Sequence, residues 1–481
     1  MKANFDEVPR KAALGAQAAL GAQMALASLG SLATGCTAPE GDLSIPEPIH
    51  CAATPSDNGV VTLSWTAPAG STSWATFHDD ANEDAGYGDT TWTVSDREVT
   101  LPLLGVPVGE RVFWEGTSEV DGKVSTCTGQ TVGAQMTAEL TAQLPADLPV
   151  FTVDIHAPDI ESADRFFLGA YYDFFAPMPY FVVLNRQGQV VWYARGEPGT
   201  LSPDIQFSRD GNGILYNRFS WTEGLAASQI RRIAYDGTPL ETLETPNAHH
   251  MYAQLPDGVI TYTAGDARDI TDPEAGTTET WHGDAIVERA ADGTAREVFS
   301  TWDWLTPEPN AHTDDISIYG GVDWTHGNAI KFDETTQSYL LSLANPGDVL
   351  RIDRATGTPL DVWGPDGLPA SPAFDYPHDP TLLDSTHLLM FMTDAATTFS
   401  GAIEYTLDAE GLHELWRRGF TQHSDYLGQA TRLENGNTFV NYGALGVLEE
   451  VTPDGAVAWH GTTGENGSAT GQFRPFQSFY R

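Results

Sequence analysis

Six copies of one local pattern recur between residues 181 and 461: an apolar strand, a tight turn closing on glycine, and a second apolar strand. They are FVVLNRQGQVVWYA, IRRIAYDGTPLETL, IVERAADGTAREVF, VLRIDRATGTPLDVW, IEYTLDAEGLHELW and LEEVTPDGAVAWHG, with turn glycines Gly188, Gly237, Gly293, Gly357, Gly411 and Gly455. A short hairpin turn needs a positive φ, which glycine adopts without steric cost. The glycines stand 44 to 64 residues apart, the length of one four-stranded propeller blade with loop insertions. A second type of hairpin alternates with the first: DIQFSRDGNGILYN, HHMYAQLPDGVITYT, HGNAIKFDETTQSYLLSL, HDPTLLDSTHLLMFM and GQATRLENGNTFVNY. Two hairpins per repeat make four strands, so the pattern predicts an all-β, six-bladed β-propeller over residues 150–481.

Residues 46–137 carry a different pattern. Short alternating strands such as VVTLSW, TTWTVS, EVTLPL and RVFWEGTSEV are separated by Gly, Pro, Asn and Asp. VTLSWTAPAG is similar to the second strand of a fibronectin type III or immunoglobulin-like β-sandwich. A small β-sandwich domain is therefore expected ahead of the propeller, and AELTAQLPADLP reads as the linker.

The charge balance is 66 acids against 24 bases, a net charge of −42. Nucleic acids and anionic membrane surfaces need Lys/Arg patches, so both are excluded as partners. An anionic substrate would meet a repulsive field, and its site must supply local donors. Residues 1–36 read as an export signal: basic residues, an Ala/Leu-rich run, and an ending in Ala-Thr-Gly-Cys36. That ending fits a lipoprotein signal lipidated at Cys36, and simple secretion is the other reading. A lipid anchor would be the route to membrane attachment, since no later apolar run reaches the roughly 20 residues of a span. Of the three cysteines, Cys51 and Cys127 bracket the sandwich and are expected to pair as a disulfide in an oxidising, extracytoplasmic compartment.

Aligning the second hairpins on their turns brings His250, His326 and His378 to one phase of the repeat. Residues at one phase share a height and radius around a propeller axis, so these three of the 13 histidines should converge at the mouth of the central channel. His249, Asn328, Asp323 and Trp324 lie beside them. Arg218 and His423 are further candidates to reach the pocket, whereas His282, His312 and His460 fall outside the register and read as solvent-facing. Neutral imidazole can act as nucleophile or general base near pH 7, and three histidines can equally hold zinc or copper.

The motifs AHHMYAQLPDG, DWTHGNAI and YPHDPTLL, followed by LLMF and IEYTLD, occur in that order. Over about 330 residues they resemble the bacterial arylsulfate sulfotransferases. The resemblance implies a β-sandwich before a six-bladed propeller. It also implies transfer of a sulfuryl group from a phenolic sulfate ester to a phenol through a histidine, without a nucleotide sulfate donor or other cofactor. It assigns the nucleophile to His378, and the holding of sulfuryl oxygens and proton transfer to His250, His326 and Asn328. Apart from the resemblance, His249, Arg218 and His423 are expected to line the substrate site, and the resemblance suggests that the sandwich makes a homodimer. The family carries an arginine in the strand after DWxHxN, where this chain has Ala344 with Asn345 beside it. Two other readings stay open on the residues: a non-catalytic propeller binding a ligand or partner, and a metal-dependent hydrolase using the three histidines.

Overall fold

The computed structural model describes residues 51 to 480 apart from 57, 59, 69, 80–89, 94–97, 133–143, 173–177, 221–222, 272–275, 308–320, 368–370, 372–373, 395–397, 421, 425 and 464–468. The expected leader with Cys36, the segment holding His312 and the side chain of Cys51 lie outside the described residues. The fold is nearly all β. Helix is limited, among the described residues, to the α-turn Thr301–Trp304 and two 3-10 turns. No helix there is long and apolar enough to cross a membrane.

Residues 51–132 form two antiparallel sheets. One pairs Cys51–Pro55, Val61–Thr66 and Glu98–Leu103; the other runs Thr90–Thr93, Thr72–Asp79, Arg111–Val120, Lys123–Val132. The alternation in VTLSWT turns Val61, Leu63 and Trp65 inward against Phe77, Leu101 and Trp114, all buried. The Trp65 indole N–H, which would be costly to bury alone, donates to Ser118 Oγ at 2.8 Å.

Six further sheets follow, each built round an antiparallel four-strand run. The repeated glycine hairpins form the outer two strands of each sheet, and all six turn glycines have positive φ, from 69° to 125°. The second hairpins form the inner two. Inner strands of neighbouring sheets pack together: Ala248–Gln254 on Gly327–Asp333, that strand on His378–Asp384, and that one on Gln429–Arg432.

The sequence pattern shows six outer hairpins but five inner ones, and the chain ends make up the difference. Ala469–Phe476, beyond the last repeat, pairs with Phe166–Tyr172 as the inner strand of the first sheet. Thr152–His156 joins the outer edge of the sixth sheet beside Val457–Thr462. Two devices hold this seam. Gly169 lies under the Phe473 ring, where a Cβ would come within 2.3 Å of a ring carbon. Arg186 of the first sheet's turn donates from Nη1 to Glu450 Oε2 of the sixth sheet at 2.6 Å, with both side chains buried.

The sandwich is not a loosely tethered module. One apolar cluster runs from Leu63 and Trp114 through Phe166, Phe181 and Trp192 to Phe476 and Phe479. The Tyr480 hydroxyl accepts from Leu104 N and donates to Pro102 O, each at 2.8 Å, so the chain's last residues grip the sandwich.

Candidate active site

Three neighbouring inner strands, Ala248–Gln254, Gly327–Asp333 and His378–Asp384, share one irregularity. Each breaks register with its partner near its first residues: between His249 and Tyr252, between Gly327 and Ala329, and between His378 and Thr381. A bulge there re-aims side chains. At the same places His250 (φ 52°), His326 (φ 49°) and Asp379 (φ 54°) adopt the left-handed region, which non-glycine residues occupy at a cost and which clusters at functional sites.

The bulges bring His250, His326 and His378 together. The His250 and His326 rings are 5.0 Å apart at 68°. His378 is close enough to both for charge on one to oppose charge on another. His378 is 5 % exposed, and its Nδ1 lies 2.9 Å from Tyr376 O. A carbonyl only accepts, so Nδ1 carries the hydrogen and Nε2 keeps its lone pair. Burial, reinforced by His326 and only partly opposed by the Tyr376 carbonyl, lowers the His378 pKa from 6.5 to about 4. His250 is pushed well below its usual range, first by burial and then by His326, His249 and His378. Its ring is enclosed by protein atoms yet keeps part of its surface open.

DWTHGNAI can be read residue by residue. Asp323, 1 % exposed, accepts from His326 N at 3.0 Å and faces His326 Nδ1 at 2.6 Å, fixing both backbone and ring. Trp324 packs into the core below. Thr325 Oγ1 donates to Asp284 Oδ2 at 2.6 Å and Gly327 N to the same oxygen at 2.7 Å. Only glycine fits at 327, since a Cβ would lie 2.9 Å from the Asp284 carboxyl carbon. Asn328, buried, reaches across to Pro377 O at 3.4 Å, tying the fourth sheet to the residue before His378. Asp284 was not singled out in the sequence, because it sits in the third sheet, some 40 residues from the motif that holds it. Burial alone would raise its pKa, but hydrogen bonds from His249 and Thr325 keep it below the usual carboxylate range.

Several expected site residues are placed differently. The His249 side chain has 0 % exposure, with Nδ1 2.7 Å from His250 Nδ1 and Nε2 2.8 Å from Asp284 Oδ1. His249, expected to line the substrate site, is placed behind His250, between it and Asp284. Arg218, the other expected donor, lies among carboxylates. It is 8 % exposed and donates to Glu197 at 3.0 Å, Glu223 at 2.6 Å and Ala227 O at 3.3 Å, so its charge is spent on carboxylates. His423 is half-buried in the loop leading to Gln429–Arg432. His282, expected in solvent, is half-buried within electrostatic range of Asp323 and Asp284, and His460 meets Asp154 at 2.5 Å.

Ala344 stands at the edge of the site, its N–H donating to His326 O at 3.0 Å, while Asn345 Nδ2 donates to Asp323 O at 2.7 Å. Two other cations of the inner strands each have an acidic partner. Lys331 meets Asp379 at 2.7 Å and Arg474 meets Asp204 at 2.7 Å. Among the described residues, the group bringing three metal-donor atoms within 4.8 Å of one another is Asp408, Glu410 and His413, all exposed at an outer turn.

Fold and site together define an all-β protein with His250, His326 and His378 gathered at bulged strand starts. Residues 154–359 match the family model described as Arylsulfotransferase (ASST), which supports an ASST-like family for the chain and arylsulfotransferase-like activity in general. The match spans His250, His326 and Asn328 and stops short of His378. No curated protein matches the chain. Among solved structures, a putative 6-phosphogluconolactonase from Bacteroides fragilis is similar at 11 % identity, covering 84 % of this chain and 98 % of its own, with a TM-score of 0.33. Virginiamycin B lyase from Staphylococcus aureus is similar at 13 % identity, with coverages of 81 % and 98 % and a TM-score of 0.31. A protein from Lactobacillus plantarum shares 11 % identity, with coverages of 84 % and 99 % and a TM-score of 0.36. Likeness at this level carries no argument about function.

Proposed function

We propose that the chain is an exported β-propeller enzyme that moves a sulfuryl group from an aryl sulfate to a phenol through His378. The observation that carries this reading is the committed tautomer of a neutral His378: Nδ1–H is held by Tyr376 O, leaving the Nε2 lone pair for attack. In the first half-reaction Nε2 bonds to sulfur and the S–O(aryl) bond breaks. The aryl oxide leaves with that electron pair and takes its proton from solvent. In the second, an incoming phenol loses its proton to the Nε2 lone pair of His250, its oxygen bonds to sulfur, and the S–N bond breaks to restore His378. His250 then returns the proton to solvent. Asn328 flanks the sulfuryl oxygens as a donor, which is worth most in a site with little water, and His326 stands beside it with its ring held through Nδ1 by Asp323.

The six sheets, the ring of inner-strand contacts and the strand exchange at the chain ends support a closed six-bladed propeller. The three-plus-four strand arrangement of residues 51–132 supports a fibronectin type III-like sandwich. Packing of Cys51–Pro55 against Lys123–Val132 supports a Cys51–Cys127 disulfide, as export would allow. Anchoring at Cys36 or release as a soluble protein follows from how the leader is cut.

Release of 4-nitrophenol from 4-nitrophenyl sulfate, with and without a phenol acceptor, tests the reading in wild type and His378→Ala. Phenol-dependent release that disappears in the variant is the expected result. Full activity in His378→Ala would remove the mechanism. No release from folded wild type across a panel of acceptors would favour the second reading, a ligand-binding propeller, which rests on Ala344 standing where an anion-binding arginine would be useful.

A further inference from the structure

We infer that Asp284, acting through His249, is a positioning residue that fixes which nitrogen of His250 faces the substrate. The inference rests on the sulfuryl-transfer reading for its catalytic consequence, but its structural core stands on geometry alone. Asp284 is 2 % exposed and neighbours three donors. Its Oδ2 accepts from Thr325 Oγ1 and Gly327 N, which leaves Oδ1, 2.8 Å from His249 Nε2. A carboxylate can only accept, so His249 in its neutral form carries its single hydrogen on the Nε2 that faces Asp284 and has a lone pair on Nδ1. That lone pair faces His250 Nδ1 at 2.7 Å, a spacing that requires exactly one hydrogen between the two nitrogens. The hydrogen therefore belongs to His250 Nδ1, and the lone pair of His250 stays on Nε2, where the proton of an incoming phenol must go. One buried carboxylate thus sets two tautomers in series, and the second of them makes His250 a base on the correct side.

The logic can be inverted by one atom. In Asp284→Asn the donors Thr325 and Gly327 still demand an oxygen at the Oδ2 position, so the amide NH2 takes the place of Oδ1 and points at His249. His249 Nε2 must then accept, its Nδ1 must donate, and His250 is driven to carry its hydrogen on Nε2. The base is lost although every side chain keeps its position. Removing the tautomer-setting carboxylate of a catalytic histidine lowers turnover by about 10⁴ in a Ser-His-Asp triad. Here the loss should be at least about 100-fold, and it should fall on transfer to the phenol.

The test uses the full chain labelled with ¹⁵N-histidine and long-range ¹H–¹⁵N correlation spectra, with His250→Gln to assign His250. Wild type should show His250 as the Nδ1–H tautomer and Asp284→Asn as the Nε2–H tautomer. His378, whose tautomer is held by Tyr376 O, serves as the internal control for an intact site. Rapid-mixing kinetics on 4-nitrophenyl sulfate should show a retained first-turnover burst and a steady-state rate reduced at least about 100-fold, with Asp284→Glu recovering part of it. Wild-type His250 in the Nε2–H form overturns the inference whether or not the variant folds. An unchanged His250 tautomer in Asp284→Asn also overturns it, as does a changed tautomer with an unchanged steady-state rate. If wild type transfers no sulfuryl group yet the tautomer switches, the function reading fails and the assignment of Asp284 stands.

Discussion

Enclosure of a neutral His378 has a thermodynamic signature that can be measured without any substrate. The unfolded chain takes up a proton on this histidine near pH 6.5, whereas the folded protein does so near pH 4. Between those values the unfolded state holds more protons, so stability falls on acidification through the window and is flat with respect to this group above it. Integrating the two titrations from pH 7.5 to 4.5 gives a loss of about 2.5 kcal/mol from His378 alone. His378→Asn removes the titration while its amide nitrogen can still donate to Tyr376 O. The cost of the smaller side chain should be nearly independent of pH, so it cancels in a difference. Urea unfolding followed by tryptophan fluorescence at pH 7.5, 6.5, 5.5 and 4.5 gives that difference directly. The variant should be less stable than wild type at pH 7.5 and should recover about 2.5 kcal/mol relative to it by pH 4.5. Parallel curves, within about 0.5 kcal/mol, would mean that His378 protonates as it would in water, and the enclosed neutral nucleophile would have to be abandoned. The same depression predicts that sulfuryl transfer persists at pH 5.5, where an ordinary histidine would be mostly charged.

Three further expectations follow from the packing. Glu450→Gln removes the nearer of two carboxylates on buried Arg186, leaving Glu161 at 3.8 Å, and should cost about 1–3 kcal/mol by urea unfolding, with an unchanged midpoint contradicting the seam described above. Gly169→Ala puts a methyl group into the Phe473 ring and should cost about 1–3 kcal/mol, partly regained with Phe473→Leu; an unchanged melting temperature would refute the close approach. Burial, then the neighbouring Asp366 carboxyl, raises the Asp348 pKa. The folded state keeps a proton that the unfolded chain sheds above about pH 4, so this group weakens the fold as pH rises from there. Asp348→Asn should therefore raise the melting temperature increasingly between pH 5 and 8, and a lowered melting temperature at pH 8 would overturn the assignment.

The architecture was legible because glycine is needed at one turn in each repeat, and Gly188 through Gly455 mark six outer hairpins by position alone. The seam was not. Ala469–Phe476 has no hairpin partner adjacent in sequence, and Thr152–His156 is too short and polar to declare a strand. Register of the second hairpins pointed to His250, His326 and His378, since equal phase in a repeat translates into equal height. What register cannot convey is which neighbours hold them. Asp284 reaches His249 only through a long third-sheet hairpin, and His378 is oriented by the backbone carbonyl of Tyr376, which has no side-chain signature. Phase also puts Arg218 and His249 near the channel without saying which carboxylates stand beside them, Glu197 and Glu223 for the one and Asp284 for the other.

The exchange of strands at the seam has a consequence for biogenesis. A nascent chain leaving the ribosome presents Phe166–Tyr172 more than 300 residues before Ala469–Phe476 exists to cover it. Until that strand pairs, the first sheet exposes an unpaired strand edge, and the sandwich lacks the grip of Tyr480. Closure of the first sheet therefore waits on Ala469–Phe476, and a chain cut short of that strand would keep an open β edge of the kind that pairs with other chains.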